Sequence, residues 1–213
     1  MCDWSILRGI LCVFLIIIFV FLVLIRIMRK YIYQFPIPAF LTRLIDNPVR
    51  RKIQNPKTIA ERMDLTPGMT IVEIGPGKGS FTKAVAEKIL PNGKVYAIDI
   101  QEKVIKKLKQ RIKKENILNV IPKVDDAYNL DFDDESVDRI FSIACLPEIP
   151  DPVRVLREFK RILKPDGIIS LSEFLPDPDY PLRRTEKRWA NEAGLKFKEQ
   201  FGNFFAYQLN FIK

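Results

Sequence analysis

Three glycines at alternate positions, Gly75, Gly77 and Gly79, follow a β-branched run, Thr70–Ile74, that carries Glu73. A strand that turns through glycines into a helix lets a ligand approach bare backbone amides at the helix N-terminus. About twenty residues further on, a second apolar run ends at Asp99, where a carboxylate can accept from both hydroxyls of a ribose. Together these residues have the chemistry of a nucleoside-cofactor site.

The elements that must position them alternate along the chain. The spacing predicts strands over Thr70–Ile74, Lys94–Ile100, Val120–Lys123, Val137–Ala144 and Ile168–Glu173. Between them it predicts helices over Ser80–Leu90, Gln101–Lys114 and Pro152–Leu163, and a further helix over Pro181–Ala193. In the helix from Gln101 an apolar stripe of Val104, Ile105, Leu108 and Ile112 recurs at helical spacing. Lys164–Gly167 reads as a turn, and Gly202-Asn203 links two last strands, Leu195–Phe201 and Phe204–Phe211, as a hairpin. Such alternation implies an α/β fold: a doubly wound, mostly parallel seven-stranded sheet with an antiparallel last strand.

Dinucleotide folds favour G-x-G-x-x-G, whereas this chain has G-x-G-x-G. With Glu73 ahead of the glycines, Val72–Gly79 resembles the first motif of class I S-adenosylmethionine-dependent methyltransferases. Other matches follow in order. They are Asp99 at the end of the second strand, Asp126-Ala127 with Leu130, Phe132, Asp133, Ser136, Val137 and Asp138 after it, Leu163–Gly167, and the closing hairpin. The resemblance runs from about Asn55 to Lys213. It implies S-adenosylmethionine as cofactor, with Gly75, Gly77 and Gly79 in the glycine turn and the methionine portion lying against the backbone of Gly75 and Gly77. Glu73 would hold the loop or the cofactor's amino group, Asp99 the ribose, and Ile100 would pack on adenine. Asp126 would accept from the adenine amino group, with Ala127 beside it. The acceptor side lies after the fourth strand, at Cys145–Glu148. Glu148 and Tyr128 are the catalytic candidates, with Glu173 and Tyr180 behind them. Cys145 reads as a packed small hydrophobe.

The N-terminus is of another kind. No charged residue lies between Arg8 and Arg26, and Gly9–Met28 is apolar enough to cross a hydrocarbon core of about 30 Å with Arg26 at the interface. From Arg26 to Arg62 there are nine basic residues against two acidic ones, a local +7 of the chain's formal +9. By the positive-inside rule the expected arrangement is one transmembrane helix in 1–30, a basic juxtamembrane linker in 31–56 and a cytoplasmic domain in 57–213. The local concentration of charge argues against a nucleic-acid surface. Histidine is absent, which excludes Ser-His and Cys-His nucleophile systems; no metal-ligand cluster stands out, and the three cysteines form no disulfide framework.

The expected function is therefore methyl transfer at a membrane face to a lipid-soluble small molecule, such as a phospholipid headgroup or a quinone. Two other readings stay open from the sequence: a protein lysine methyltransferase, and a catalytically silent cofactor-fold module that tethers a partner.

Overall fold

The computed structural model describes residues 48–213 except Pro176, together with some helical residues between Arg8 and Ile27. Among the described residues no helix is long and apolar enough to cross a membrane. Half of the expected span, Gly9–Met28, falls outside them.

Seven strands form one sheet in the order β3-β2-β1-β4-β5-β7-β6. They are β1 (Thr70–Ile74), β2 (Lys94–Asp99), β3 (Val120–Val124), β4 (Val137–Ile143), β5 (Leu163–Phe174), β6 (Lys196–Gly202) and β7 (Ala206–Ile212). The pairs from β3 through β5 are parallel, whereas β7 pairs antiparallel with both β5 and β6. The expected antiparallel last strand is therefore present, inserted between β5 and β6.

The helices are α1 (Pro48–Ile53), α2 (Pro56–Glu61), α3 (Ser80–Lys88), α4 (Glu102–Lys114), α5 (Pro152–Ile162) and α6 (Arg183–Glu192). Strand alternation sends the core to both sides of the sheet. On one side Val72, Ile74, Ile140 and Leu171 pack with Leu156, Phe159 and Ala190. On the other Ile71, Ala97 and Phe141 pack with Met63, Phe81, Val85 and Leu108. Glu73 shares the second face with Ile71 and is 2% exposed, an isolated carboxyl within an apolar layer.

Two differences from the sequence expectation bear on the site. The segment expected as linker contains α1, started by Pro48 at its first turn. Arg50 and Gln54 at its end are buried, and Gln54 Nε2 donates to Ser172 Oγ of β5 at 3.0 Å. The folded domain thus takes in residues upstream of position 57. Lys164–Gly167, expected as a turn, lies inside β5. Pairing with β4 jumps from Val137↔Leu163 to Arg139↔Ile168, so these residues form a bulge.

Candidate functional site

The parallel strands β1, β2, β4 and β5 end along one edge, and the chain reverses between β1 and β4, the neighbours on either side of the switch in strand order. Ligands of open α/β sheets bind in the crevice beyond such carboxyl ends. Gly75, Gly77 and Gly79 have φ of 72°, 53° and 80°. A Cβ on Gly75 would collide with Cys145 Sγ, whereas one on Gly77 would meet nothing within 4 Å. Gly75 lets the turn press against the loop after β4, and Gly77 leaves open space above the backbone. Gly79 is not at the cavity wall: it caps α3, where a Cβ would fall 2.5 Å from Leu108 Cδ1.

Two cavities meet at this edge. The larger, about 220 Å³, has Ile74 and Ile98 at its base and Ile100, Asp126 and Ala127 on its walls. The smaller, about 90 Å³, lies between Gly75–Lys78, Arg50, Phe81 and Ala144. Gly75, Asp99, Gln101, Cys145 and Glu148 border both. Asp99 therefore stands at the junction of a strongly apolar slot and a smaller cavity of mixed lining. Its Oδ1 accepts from Gln101 N at 2.8 Å, and burial pushes the carboxyl up to about 6. It is ionised at neutral pH and has a second oxygen for a ligand.

Asp126 Oδ1 accepts from Tyr128 N at 3.0 Å, an Asx turn that presents Ala127 to the larger cavity. Tyr128 borders that same cavity; its hydroxyl accepts from Asp151 N at 2.9 Å and the Arg154 guanidinium lies 4.6 Å from its ring centroid. These contacts hold it as wall on the slot's side. Glu148 lies in a single helical turn, Leu146–Glu148, and reaches both cavities. Before it, Ala144 is held at φ 52°, a left-handed conformation rare for a non-glycine residue. Burial pushes the Cys145 thiol well above its ordinary range, with Glu148, Asp99 and Glu173 adding to the effect, so it acts as apolar wall.

Glu73 is not among the cavity-lining residues. It sits beneath the glycine turn, beside Thr82; its Oε2 has no hydrogen-bond partner and burial pushes it up to about 8. Glu173 and Glu186 are both fully buried and their oxygens accept no hydrogen bond; the Tyr207 hydroxyl, beside Glu186, donates to Pro181 O at 2.9 Å. Burial and mutual repulsion push Glu173 well above the carboxylate range, and Glu186 rises to about 8. The pair therefore retains a proton at neutral pH. Tyr180 is buried, and its hydroxyl donates to Phe204 O.

The residue that sequence reasoning missed is Arg50. Its Nε donates to Gln54 Oε1 at 2.9 Å, and its guanidinium is 5.9 Å from the ring centroids of both Phe81 and Phe174. Its charge lowers the pKa of Glu173 against the other influences there. Proline and basic residues around it resemble a solvated linker, so the sequence gives no sign of burial.

The cavity pair fits S-adenosylmethionine. The apolar slot suits an adenine ring, Asp99 faces the junction where a ribose would lie, and the open backbone at Gly77 suits an amino-acid tail.

Comparisons with known proteins agree. A family model described as a methyltransferase domain matches residues 65–205. A demethylmenaquinone methyltransferase of Geobacillus stearothermophilus is 34% identical over 119 residues, 56% of this chain and 51% of that protein. An arsenite methyltransferase of Halobacterium salinarum is 28% identical over 127 residues, 60% of this chain and 32% of that one. The chain thus spans about half, or less, of the curated relatives' length. Among solved structures, a SAM-dependent methyltransferase from Aquifex aeolicus superposes with a TM-score of 0.78 at 22% identity, covering 84% of this chain and all of that one. With the fold, the glycine turn and the family match in agreement, the chain belongs to the methyltransferase-domain family.

Proposed function

We propose that this chain is an S-adenosylmethionine-dependent methyltransferase held at a membrane, with its domain on the cytoplasmic face, and that it methylates a lipid-soluble small molecule of the quinone or phospholipid-headgroup kind. The observation that carries the reading is the meeting of an apolar slot and a smaller cavity of mixed lining at Asp99 and Glu148.

The cofactor supplies an already activated methyl group on a sulfonium. The chain's own residues have to align donor and acceptor and keep water out. Asp99 orients the nucleoside, and the Asp126–Ala127 turn closes the slot around it. Phe81, Ile143 and Ala144 line the side of the smaller cavity away from the Gly77 backbone, where the acceptor would approach beside the cofactor's tail. Glu148 is placed to take the proton of an acceptor hydroxyl as its oxygen displaces the sulfonium from the methyl group, and Arg50 at the wall favours the negative charge that develops on that oxygen. The described residues among 8–27 are helical, and the apolar side chains of Val13, Phe14, Ile16 and Leu24 are more than half exposed, which supports an anchor in that stretch.

The test incubates the full chain and a form lacking residues 1–28 with membranes and cofactor labelled on its methyl group. Label in the organic phase, reduced for the shortened form, is expected. Label in protein bands would replace this reading with protein methylation. Equal labelling of soluble, non-lipid acceptors by both forms would end the membrane part of it.

A further inference from the structure

The tip of the last hairpin exposes two adjacent aromatic residues, Phe204 and Phe205, at 57% and 61%. They lie at the site's own edge of the sheet. Ala206, the next residue, pairs with Phe174 at the end of β5, and Phe205 O accepts from Leu175 N at 2.7 Å. Tyr180, packed on the rings of Phe204 and Tyr207, supports the tip from below. Two more exposed apolar side chains sit on neighbouring elements: Ile53 ends α1, which is bound to β5 through Gln54, and Leu182 precedes α6. Beside them are Arg51 and Lys52 on α1 and Arg184 on α6, all exposed. Of the acidic side chains within five residues of Leu182, Asp177 and Glu186 are buried and Asp179 is half-buried.

We infer that this face, Phe204-Phe205 with Ile53 and Leu182, is a membrane-docking surface that inserts into an anionic bilayer and turns the smaller cavity toward it. The inference rests on the membrane reading above and names the contact that reading needs. Three observations commit it to lipid. The aromatic residues are exposed beside cations, the composition that settles in a headgroup region. The chain enters the domain here: the apolar stretch at Gly9–Met28 leads through a basic segment into α1, whose Arg50 packs against Phe174 and lines the smaller cavity. Finally, the exposed apolar residues toward the other end of the sheet, among them Leu118, Leu90 and Phe197, are single residues on separate elements, with no adjacent aromatic pair among them.

The test uses the full chain in vesicles of phosphatidylcholine and phosphatidylglycerol whose acyl chains carry bromine near the headgroup. Phe205→Trp and Leu118→Trp are compared, each after subtraction of the unsubstituted protein's own tryptophan emission. Co-flotation of protein with vesicles and several-fold stronger bromine quenching of the Phe205→Trp reporter is the expected result. Co-flotation with equal quenching at the two positions overturns the docking surface and leaves the anchor standing. Loss of co-flotation overturns both. Shielding of the Phe205→Trp reporter from aqueous iodide without bromine quenching would also overturn it, since that assigns the face to a protein partner.

Discussion

The two ends of the parallel strands treat their polar groups in opposite ways. At the amino end, Arg139 donates to Met63 O at 2.8 Å, to Asp64 O at 3.0 Å and to Asp138 O at 2.8 Å. Asp138 in turn accepts from Thr70 N at 2.8 Å and pairs with Lys164 at 2.7 Å. At the carboxyl end, Glu73 Oε2 and the carboxyls of Glu173 and Glu186 are buried and accept no hydrogen bond. A buried polar group without a partner costs about 1–3 kcal/mol, so the carboxyl end is held against its own preference. The amino end, which closes its network, supplies stability; the carboxyl end keeps unmet polar capacity beside the cavities. Asn210 Oδ1, unpartnered although its amide donates to Arg62 O, is the exception on the stabilising side.

Substitutions should separate the two ends. The largest effect is expected at Arg139. Arg139→Leu orphans carbonyls of α2's exit and of β4, and should lower stability by about 3–5 kcal/mol in urea unfolding. The folded fraction should still bind cofactor normally. Asp99→Asn should do the reverse. It should weaken S-adenosylmethionine by roughly 10–100-fold, the worth of a hydrogen bond to a charged group, with an unchanged melting temperature.

Glu73 sharpens the contrast through pH. Its ordinary value of 4.5 rises to about 8 in the fold, so the folded state binds the proton more tightly than the unfolded state. Its contribution is fully favourable below about 4.5 and is lost as pH rises through about 8. Glu73→Gln, with no such proton, should therefore gain stability relative to the parent protein as pH rises across that window, by a few kcal/mol at about 1.4 per unit. Equal urea midpoints for the two proteins at both ends of the window would break the assignment. The smallest effect belongs to Asp99 as a titrating group. Cofactor affinity should be flat at neutral pH and fall as pH drops through about 6, up to tenfold per unit, in the parent protein and not in Asp99→Asn.

Most of the sheet was legible because its strands are short β-branched runs between turn residues and its helices carry apolar stripes at helical spacing. The cofactor side was legible for a related reason: glycines and a strand-end acid act through backbone geometry local in sequence. Asp99, Ile100, Asp126 and Ala127 all reach the larger cavity as expected. Gly79 was read as part of the ligand turn, but its left-handed cap serves packing against Leu108. The acceptor side was less legible, because its residues meet only through the fold. Arg50 comes from a proline-rich basic segment, and Glu173 and Glu186 lie on different elements. In the sequence Arg50 and Glu186 have the look of ordinary surface charges, and Glu173, a candidate by its position, shows nothing of its pairing with Glu186.

The most direct measurement is a calorimetric titration of the full chain with S-adenosylmethionine at neutral pH, beside Asp99→Asn and Arg139→Leu. The account predicts saturable binding near one cofactor per chain, weakened by Asp99→Asn and retained by the folded fraction of Arg139→Leu. Absence of binding by the intact protein, or equal weakening by both substitutions, would contradict it.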